Sequence, residues 1–177
     1  LGVQVETEIK LRSASLPAVR ERLLATGAVP RLPRHLEENV LFDRPGGELR
    51  AAGTVLRLRR TPHGGVLTWK GCKRVEAGVR SRPEAESGVA DAEATEAILR
   101  GLGFAPTFRY QKYRETLGWR GLDVALDETP LGDFVELEGE GARAAAFDLG
   151  FLELDVCPLS YVELWLASGR GGDMIFR

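Results

Sequence analysis

The chain has 177 residues, a net charge of −2, 44% apolar residues and two cysteines far apart in sequence, Cys72 and Cys157. Those values describe an ordinary soluble domain able to bury roughly 70% of its unfolded surface, and they argue against a disulfide framework, a zinc ribbon or a basic partner for a nucleic acid polymer. No apolar run approaches the roughly 18 residues of a membrane span, and Leu1 to Lys10 alternates charges where a signal peptide needs an apolar core, so a reduced, cytoplasmic protein is expected.

Val3 to Leu11 sets Val3, Val5, Thr7 and Ile9 on one side of a strand and Gln4, Glu6, Glu8 and Lys10 on the other. Ser15 then caps a helix through Thr26, with Pro17 in its first turn and Gly27 as its stop. A second strand is expected at Glu38 to Phe42, and a helical turn follows at Glu48 to Ala52. Val55 to Arg60 and Val66 to Gly71 form a hairpin around His63-Gly64-Gly65, and Gly78 to Glu86 reads as another strand. Asp91 caps a helix whose stripe is Ala94, Ala97, Ile98 and Leu102. Three strands follow, at Phe108 to Leu117, Leu122 to Asp127 and Phe134 to Glu138. A short helix fits Ala142 to Leu149, and Ser160-Tyr161-Val162-Glu163 is a capping box that opens the last one. One domain is expected over residues 1–168, with 169–177 as a loose tail. The two halves resemble an internal repeat: Glu6-x-Glu8 returns as Glu84-x-Glu86, and each pair is followed by a helix that ends near a glycine, Gly27 or Gly103.

The small net charge conceals a segregation. Arg50 to Arg82 holds nine bases and one acid, Glu76, whereas Asp123 to Glu140 holds seven acids and no base. Two solvated faces would account for such blocks, but so would two walls of one site. Strand alternation puts Glu6, Glu8 and Lys10 on one face of their strand, and likewise Arg57 with Arg59, Thr68 with Lys70, Arg82 with Glu84 and Glu86, Lys112 with Arg114, and Glu136 with Glu138; Asp127 follows the same rule. The intervening residues are mostly apolar. A wet sheet face explains any single strand, yet seven such strands of full charges fit better in an α+β protein built on a closed antiparallel barrel, with a polar lumen and helices packed on its outside. Its seven bases and seven acids cancel. Carboxylates without His or Cys suit Mg²⁺ or Mn²⁺, and the guanidinium and ammonium groups suit phosphate oxygens. His35 and His63 lack ligand spacing, and the glycine pairs lack Walker spacing.

Glu6-Thr7-Glu8-Ile9-Lys10 matches the E-x-E-x-K signature of the CYTH superfamily, the triphosphate tunnel metalloenzymes. Leu56-Arg57-Leu58-Arg59, Thr68-Trp69-Lys70, Arg82-x-Glu84-x-Glu86, Lys112-Tyr113-Arg114, Leu126-Asp127-Glu128 and Phe134-Val135-Glu136-Leu137-Glu138 extend the match in order and spacing. The chain most resembles bacterial and archaeal class IV adenylyl cyclase-like members. The resemblance implies an eight-stranded tunnel. In it Glu6, Glu8, Asp127, Glu136 and Glu138 would hold two ions of Mg²⁺ or Mn²⁺, and Lys10, Arg57, Arg59, Lys70, Arg82, Lys112 and Arg114 would bind phosphate. Glu84 and Glu86 would orient the bases or assist a metal-bound water. One departure is that Tyr161 to Ser168 contains no base, whereas some relatives place one near the chain end into the tunnel.

The leading expectation is metal-dependent hydrolysis of a triphosphate, with inorganic tripolyphosphate ahead of ATP and thiamine triphosphate. The alternatives are an adenylyl cyclase using the same tunnel and a noncatalytic polyphosphate or nucleotide binder. The partner is thus a small molecule, not a membrane, and the protein is expected to be a monomer or homodimer.

Overall fold

The computed structural model describes residues 2–177. Among them are nine strands and five α-helices, in the order β1 (Gln4–Ser13), α1 (Leu16–Ala25), β2 (Val29–Asp43), α2 (Glu48–Ala51), β3 (Val55–Thr61), β4 (Gly64–Lys70), β5 (Arg74–Glu76), β6 (Val79–Val89), α3 (Ala92–Gly101), β7 (Ala105–Trp119), β8 (Leu122–Thr129), β9 (Gly132–Glu138), α4 (Ala142–Asp148) and α5 (Tyr161–Ala167). Eight strands close an antiparallel barrel in the order β1-β9-β8-β7-β2-β3-β4-β6, with β6 returning to β1, and the short β5 lies on the edge of β6. The fold is α+β, as the alternating pattern requires.

The barrel has the symmetry of the sequence repeat. Superimposing β1, β2, β3 and β4 on β6, β7, β8 and β9 carries the β2–β3 pairing onto β7–β8 and the β4–β6 pairing onto β9–β1. The two seams, β2–β7 and β1–β6, each join an element to its counterpart.

The apolar sides of the strands face outward, where most helices cover them. Ile9, Leu11, Val124, Leu126, Val135 and Leu137 pack against Val19 and Leu23 of α1 and Ala142, Ala145 and Ala146 of α4. Val40, Phe42 and Leu58 pack against Leu99 of α3. Where β1, β4 and β6 meet around Val5 and Trp69, the outer face has no such cover among the described residues, so Val5 is 70% exposed and Trp69 38%.

Three local expectations change. The second strand starts at Val29, not Glu38, because β2 passes Pro30 and Pro33 through register shifts that hide its alternation. Helix α5 does not lie outside: Tyr161, Leu164 and Trp165 pack on Tyr110 and Phe134, which share the inward faces of β7 and β9. Its capping box is as expected, with Ser160 Oγ accepting from Glu163 N and the Glu163 carboxylate accepting from Ser160 N.

The third change is in the terminal segment, expected to be loose. Met174 is fully buried, its N–H donates to Arg109 O at 2.9 Å, and its carbonyl accepts from Gln111 N at 2.8 Å. The reason is a vacancy in the ladder: β8 begins pairing with β7 only at Tyr113, which leaves the backbone of residues 109–111 free on that side. The terminal segment takes those bonds, and Trp165 Nε1 donates to Gly172 O at 2.9 Å to tie it to α5.

Candidate functional site

The inward faces of the strands meet in a cavity of about 1090 Å³. Of the residues singled out above, Glu6, Glu8, Lys10, Arg57, Arg59, Lys70, Arg82, Glu84, Glu86, Lys112, Arg114, Glu136 and Glu138 line it, drawn from β1, β3, β4, β6, β7 and β9. Arg60, one residue on from Arg59, faces the other way and pairs with Glu96 of α3 at 2.6 Å. This opposite facing sets a test of register. Arg57→Ala and Arg59→Ala should each raise the KM for a phosphate substrate about tenfold or more. Arg60→Ala, which removes a surface pair worth about 0–1 kcal/mol, should leave the kinetics unchanged; a loss confined to Arg60→Ala would mean a one-residue slip.

Asp127 is the exception among these residues. It is completely buried and lies behind the cavity wall, where its carboxylate accepts from Lys112 Nζ at 2.9 Å, from Arg114 Nε and Nη2 at 2.6 and 2.5 Å, and from the Tyr161 hydroxyl at 2.7 Å. The geometry makes it a counter-anion to two bases.

Sequence reasoning missed four groups. Arg80 also lines the cavity and pairs with Glu8 at 3.0 Å and Glu136 at 3.6 Å; it sits two residues before Arg82, so the alternation already contained it. Glu37 directly precedes the strand expected at Glu38 to Phe42 and Asn39 lies within it, but Glu37-Glu38-Asn39 is polar on both faces and Val40-Leu41-Phe42 apolar on both, so alternation does not mark them; Glu37 pairs with Arg59 at 3.1 Å and Lys112 at 3.5 Å. Tyr161, singled out from the sequence only within the capping box, is the fourth: the Lys10 ammonium lies 3.6 Å from its ring centre.

The network runs from Glu37 through Arg59, Lys112, Asp127 and Arg114 to Glu136, then through Lys10 and Arg80 to Glu8. Burial alone would raise the Glu136 carboxyl, but Lys10, Lys112, Arg114 and Arg80 together hold it well below the usual range. Burial moves Lys10 the other way, down to about 8, against the pull of Glu136. At the acidic end, Glu6 and Glu84 share a carboxyl–carboxylate hydrogen bond beside Lys70, which lies 2.9 Å from Glu6 and 2.5 Å from Glu84. Burial and the hydrogen bond to Glu6 push Glu84 up to about 7. Burial of Glu6 is outweighed by the hydrogen bond from Glu84 and by Lys70, which hold it at about 2. Glu138 is raised to about 7 by burial and then by the charges of Glu6 and Glu8, and among the described residues it has no ion-pair partner.

Those acids fit a hard divalent cation in chemistry. They supply oxygen ligands only, and the mutual repulsion that raises Glu138 is what a cation would relieve. Among the described residues they are not gathered into a ready-made coordination group.

A closed barrel whose lumen sets bases from several strands against a carboxylate cluster defines the class of tunnel proteins that grip a chain of phosphates. The chain belongs to the CYTH family: the CYTH domain matches residues 4–156. No curated protein matches the chain in sequence. Among solved structures, an adenylate cyclase candidate from Vibrio parahaemolyticus is 22% identical, with a TM-score of 0.81 over 94% of this chain and 99% of that one. A conserved hypothetical protein from Pyrococcus furiosus is 25% identical, with a TM-score of 0.73 over 90% and 99%. An adenylyl cyclase candidate from Hippeastrum, which has a dominant triphosphatase activity, is 24% identical, with a TM-score of 0.72 over 93% and 96%. These likenesses support the fold.

Proposed function

We propose that this chain is a divalent-metal-dependent hydrolase of triphosphates, with inorganic tripolyphosphate as its substrate. The observation that carries the reading is the distribution of bases: Lys10, Arg57, Arg59, Lys70, Arg80, Arg82, Lys112 and Arg114 reach one cavity from five different strands. Such a ring can surround a phosphate chain along its length, and each guanidinium can take two oxygens. The dominant triphosphatase activity of the Hippeastrum relative supports the same chemistry.

In this reading Arg57, Arg59, Lys112 and Arg114 orient the chain, with Glu37 and Asp127 fixing three of those side chains from behind. Glu6, Glu8 and Glu138 would hold Mg²⁺ or Mn²⁺, with Glu136 beside them tied to Lys10, Arg80 and Arg114. The bound ion supplies charge neutralisation and a water of lowered pKa. Glu84 and Glu86 stand beside Lys70 and Arg57 and set the position of those bases. Water adds to the terminal phosphorus, the bridging P–O bond breaks, and tripolyphosphate leaves as pyrophosphate and orthophosphate.

One observation favours a cyclase as the second reading. Leu41, Phe108, Val162 and Leu166 also line the cavity and offer an apolar wall to a nucleoside. Product analysis separates the two. With tripolyphosphate, ATP and thiamine triphosphate offered side by side with Mg²⁺ or Mn²⁺, orthophosphate should be released fastest from tripolyphosphate, and chelation should stop the release. Rapid conversion of ATP to cyclic AMP with tripolyphosphate inert would overturn the hydrolase reading. Binding without turnover in either metal would leave a noncatalytic binder.

A further inference from the structure

The ion-pair network leaves out a group of polar atoms on the β2–β3 wall. Asn39 is 1% exposed, yet among the described residues neither its Oδ1 nor its Nδ2 has a hydrogen-bond partner; the Nε atoms of Arg57 and Arg59 are buried and equally without one. Asn39 stands directly opposite Arg59 across β2–β3 and opposite Tyr110 across β2–β7, so its Cβ lies about 5 Å from theirs. A buried amide with no partner destabilises a fold, whereas an apolar side chain of similar size in its place would not. The mismatch is one of donors and acceptors held apart, since arginine Nε–H groups and the amide oxygen could satisfy each other.

The guanidinium ends show what holds them apart. Arg57 Nη2 donates to Thr68 Oγ1 at 3.1 Å and to Glu86 at 3.4 Å, and Arg59 Nη1 donates to Glu37 at 3.1 Å. Both arginines are committed to protein carboxylates, and a phosphate chain in the cavity would compete for the same N–H groups. A guanidinium that turns its two-pronged end to phosphate retains Nε–H among its remaining donors.

We propose that Asn39 is a positioning residue for these arginines: when a phosphate chain draws the Nη groups of Arg57 and Arg59 away from Glu86 and Glu37, the side chains shift so that the Asn39 amide oxygen accepts from the hitherto unpartnered Nε–H and fixes the guanidinium toward the ligand. This rests on the triphosphate reading above. The hydrogen bonds of the β2–β3 wall are completed only in the loaded tunnel, and the unpartnered atoms belong to its resting state. The acceptor oxygen is the functional atom, so a carboxylate in its place retains the role and a hydrocarbon abolishes it.

The experiment measures melting temperature without ligand and calorimetric titration of tripolyphosphate in EDTA for the wild type, Asn39→Leu, Asn39→Ala and Asn39→Asp. Asn39→Leu should keep or raise the melting temperature, by up to about 2–4 °C, while weakening tripolyphosphate tenfold or more. Asn39→Ala should show the same loss of binding, and carries the test if leucine does not fit the wall. Asn39→Asp should bind within about threefold of the wild type, because it keeps the acceptor. A merely structural asparagine would give the opposite pattern: Asn39→Leu destabilised, with affinity unchanged. Equal binding by the wild type and Asn39→Ala, or binding by Asn39→Asp as weak as by Asn39→Leu, overturns the positioning role alone. Where the wild type binds tripolyphosphate only with Mg²⁺, the four proteins are compared there; a wild type that binds it neither in EDTA nor with Mg²⁺ overturns the triphosphate reading and the positioning role with it.

Discussion

Glu138→Gln should abolish turnover, with a fall on the order of 10²-fold or more at any Mg²⁺ concentration, without loss of stability at neutral pH. Glu138 lines the cavity and has no ion-pair partner among the described residues, so the amide breaks no internal pair. What it removes is a hard anionic ligand. The pH dependence carries an independent signature. Burial and the charges of Glu6 and Glu8 raise the Glu138 carboxyl from 4.5 to about 7 in the folded protein. A carboxyl raised by folding contributes stability that is complete below its unfolded value and is lost as the pH rises through its folded value. The metal-free protein should therefore lose melting temperature between about pH 4.5 and about pH 7. Glu138→Gln should flatten part of that fall, and Glu84, also raised to about 7, should account for a further part. Saturating Mg²⁺ should abolish the slope in the wild type by relieving the repulsion. Full activity in Glu138→Gln would remove this residue from the metal site.

Asp127→Asn should fail in a different way. Asp127 is completely buried and holds Lys112, Arg114 and the Tyr161 hydroxyl. Removing its charge leaves two buried cations short of a counter-anion, a change that costs about 3–5 kcal/mol where one partner of a buried pair is deleted. The urea midpoint should drop accordingly. Arg114 keeps Glu136, and Lys112 keeps Glu37, so the residual fold should survive with a disordered cation wall and a raised KM. Added Mg²⁺ should rescue neither stability nor activity. A variant of wild-type stability whose activity returns at high Mg²⁺ would make Asp127 a metal ligand after all. The contrast between Glu138 and Asp127 separates two carboxylates that look alike in sequence, each next to alternating apolar residues.

Much of this tunnel is legible in the chain because strand alternation is a local property. A side chain's face follows from its parity within the strand, so Glu6, Glu8 and Lys10, or Arg57 and Arg59, share a side wherever the strand is placed. Arg80 was within reach of the same rule. Glu37 and Asn39 were not, because Glu37-Glu38-Asn39 is polar on both faces of β2 and Val40-Leu41-Phe42 apolar on both, so the run shows no two-residue period. Parity also told apart Arg59 and Arg60, and it carried the repeat that the barrel displays as matched halves.

Depth, closure and pairing lay beyond parity. Asp127 and Glu138 both face inward, but only the packing of Tyr161 and α5 over one part of the lumen, together with the neighbouring bases of β7, buries the first and leaves the second on the cavity wall. Likewise the terminal segment docks because β8 leaves residues 109–111 of β7 unpaired, a vacancy that exists only once the strands are in register. The sequence by itself determined which side chains face the lumen and that charges of both signs meet there, because those follow from a two-residue period. The tertiary structure alone decided which of them stay on the cavity wall without an ion-pair partner and which are buried counter-ions, because solvent exposure and ion-pair partners are set by residues far away along the chain.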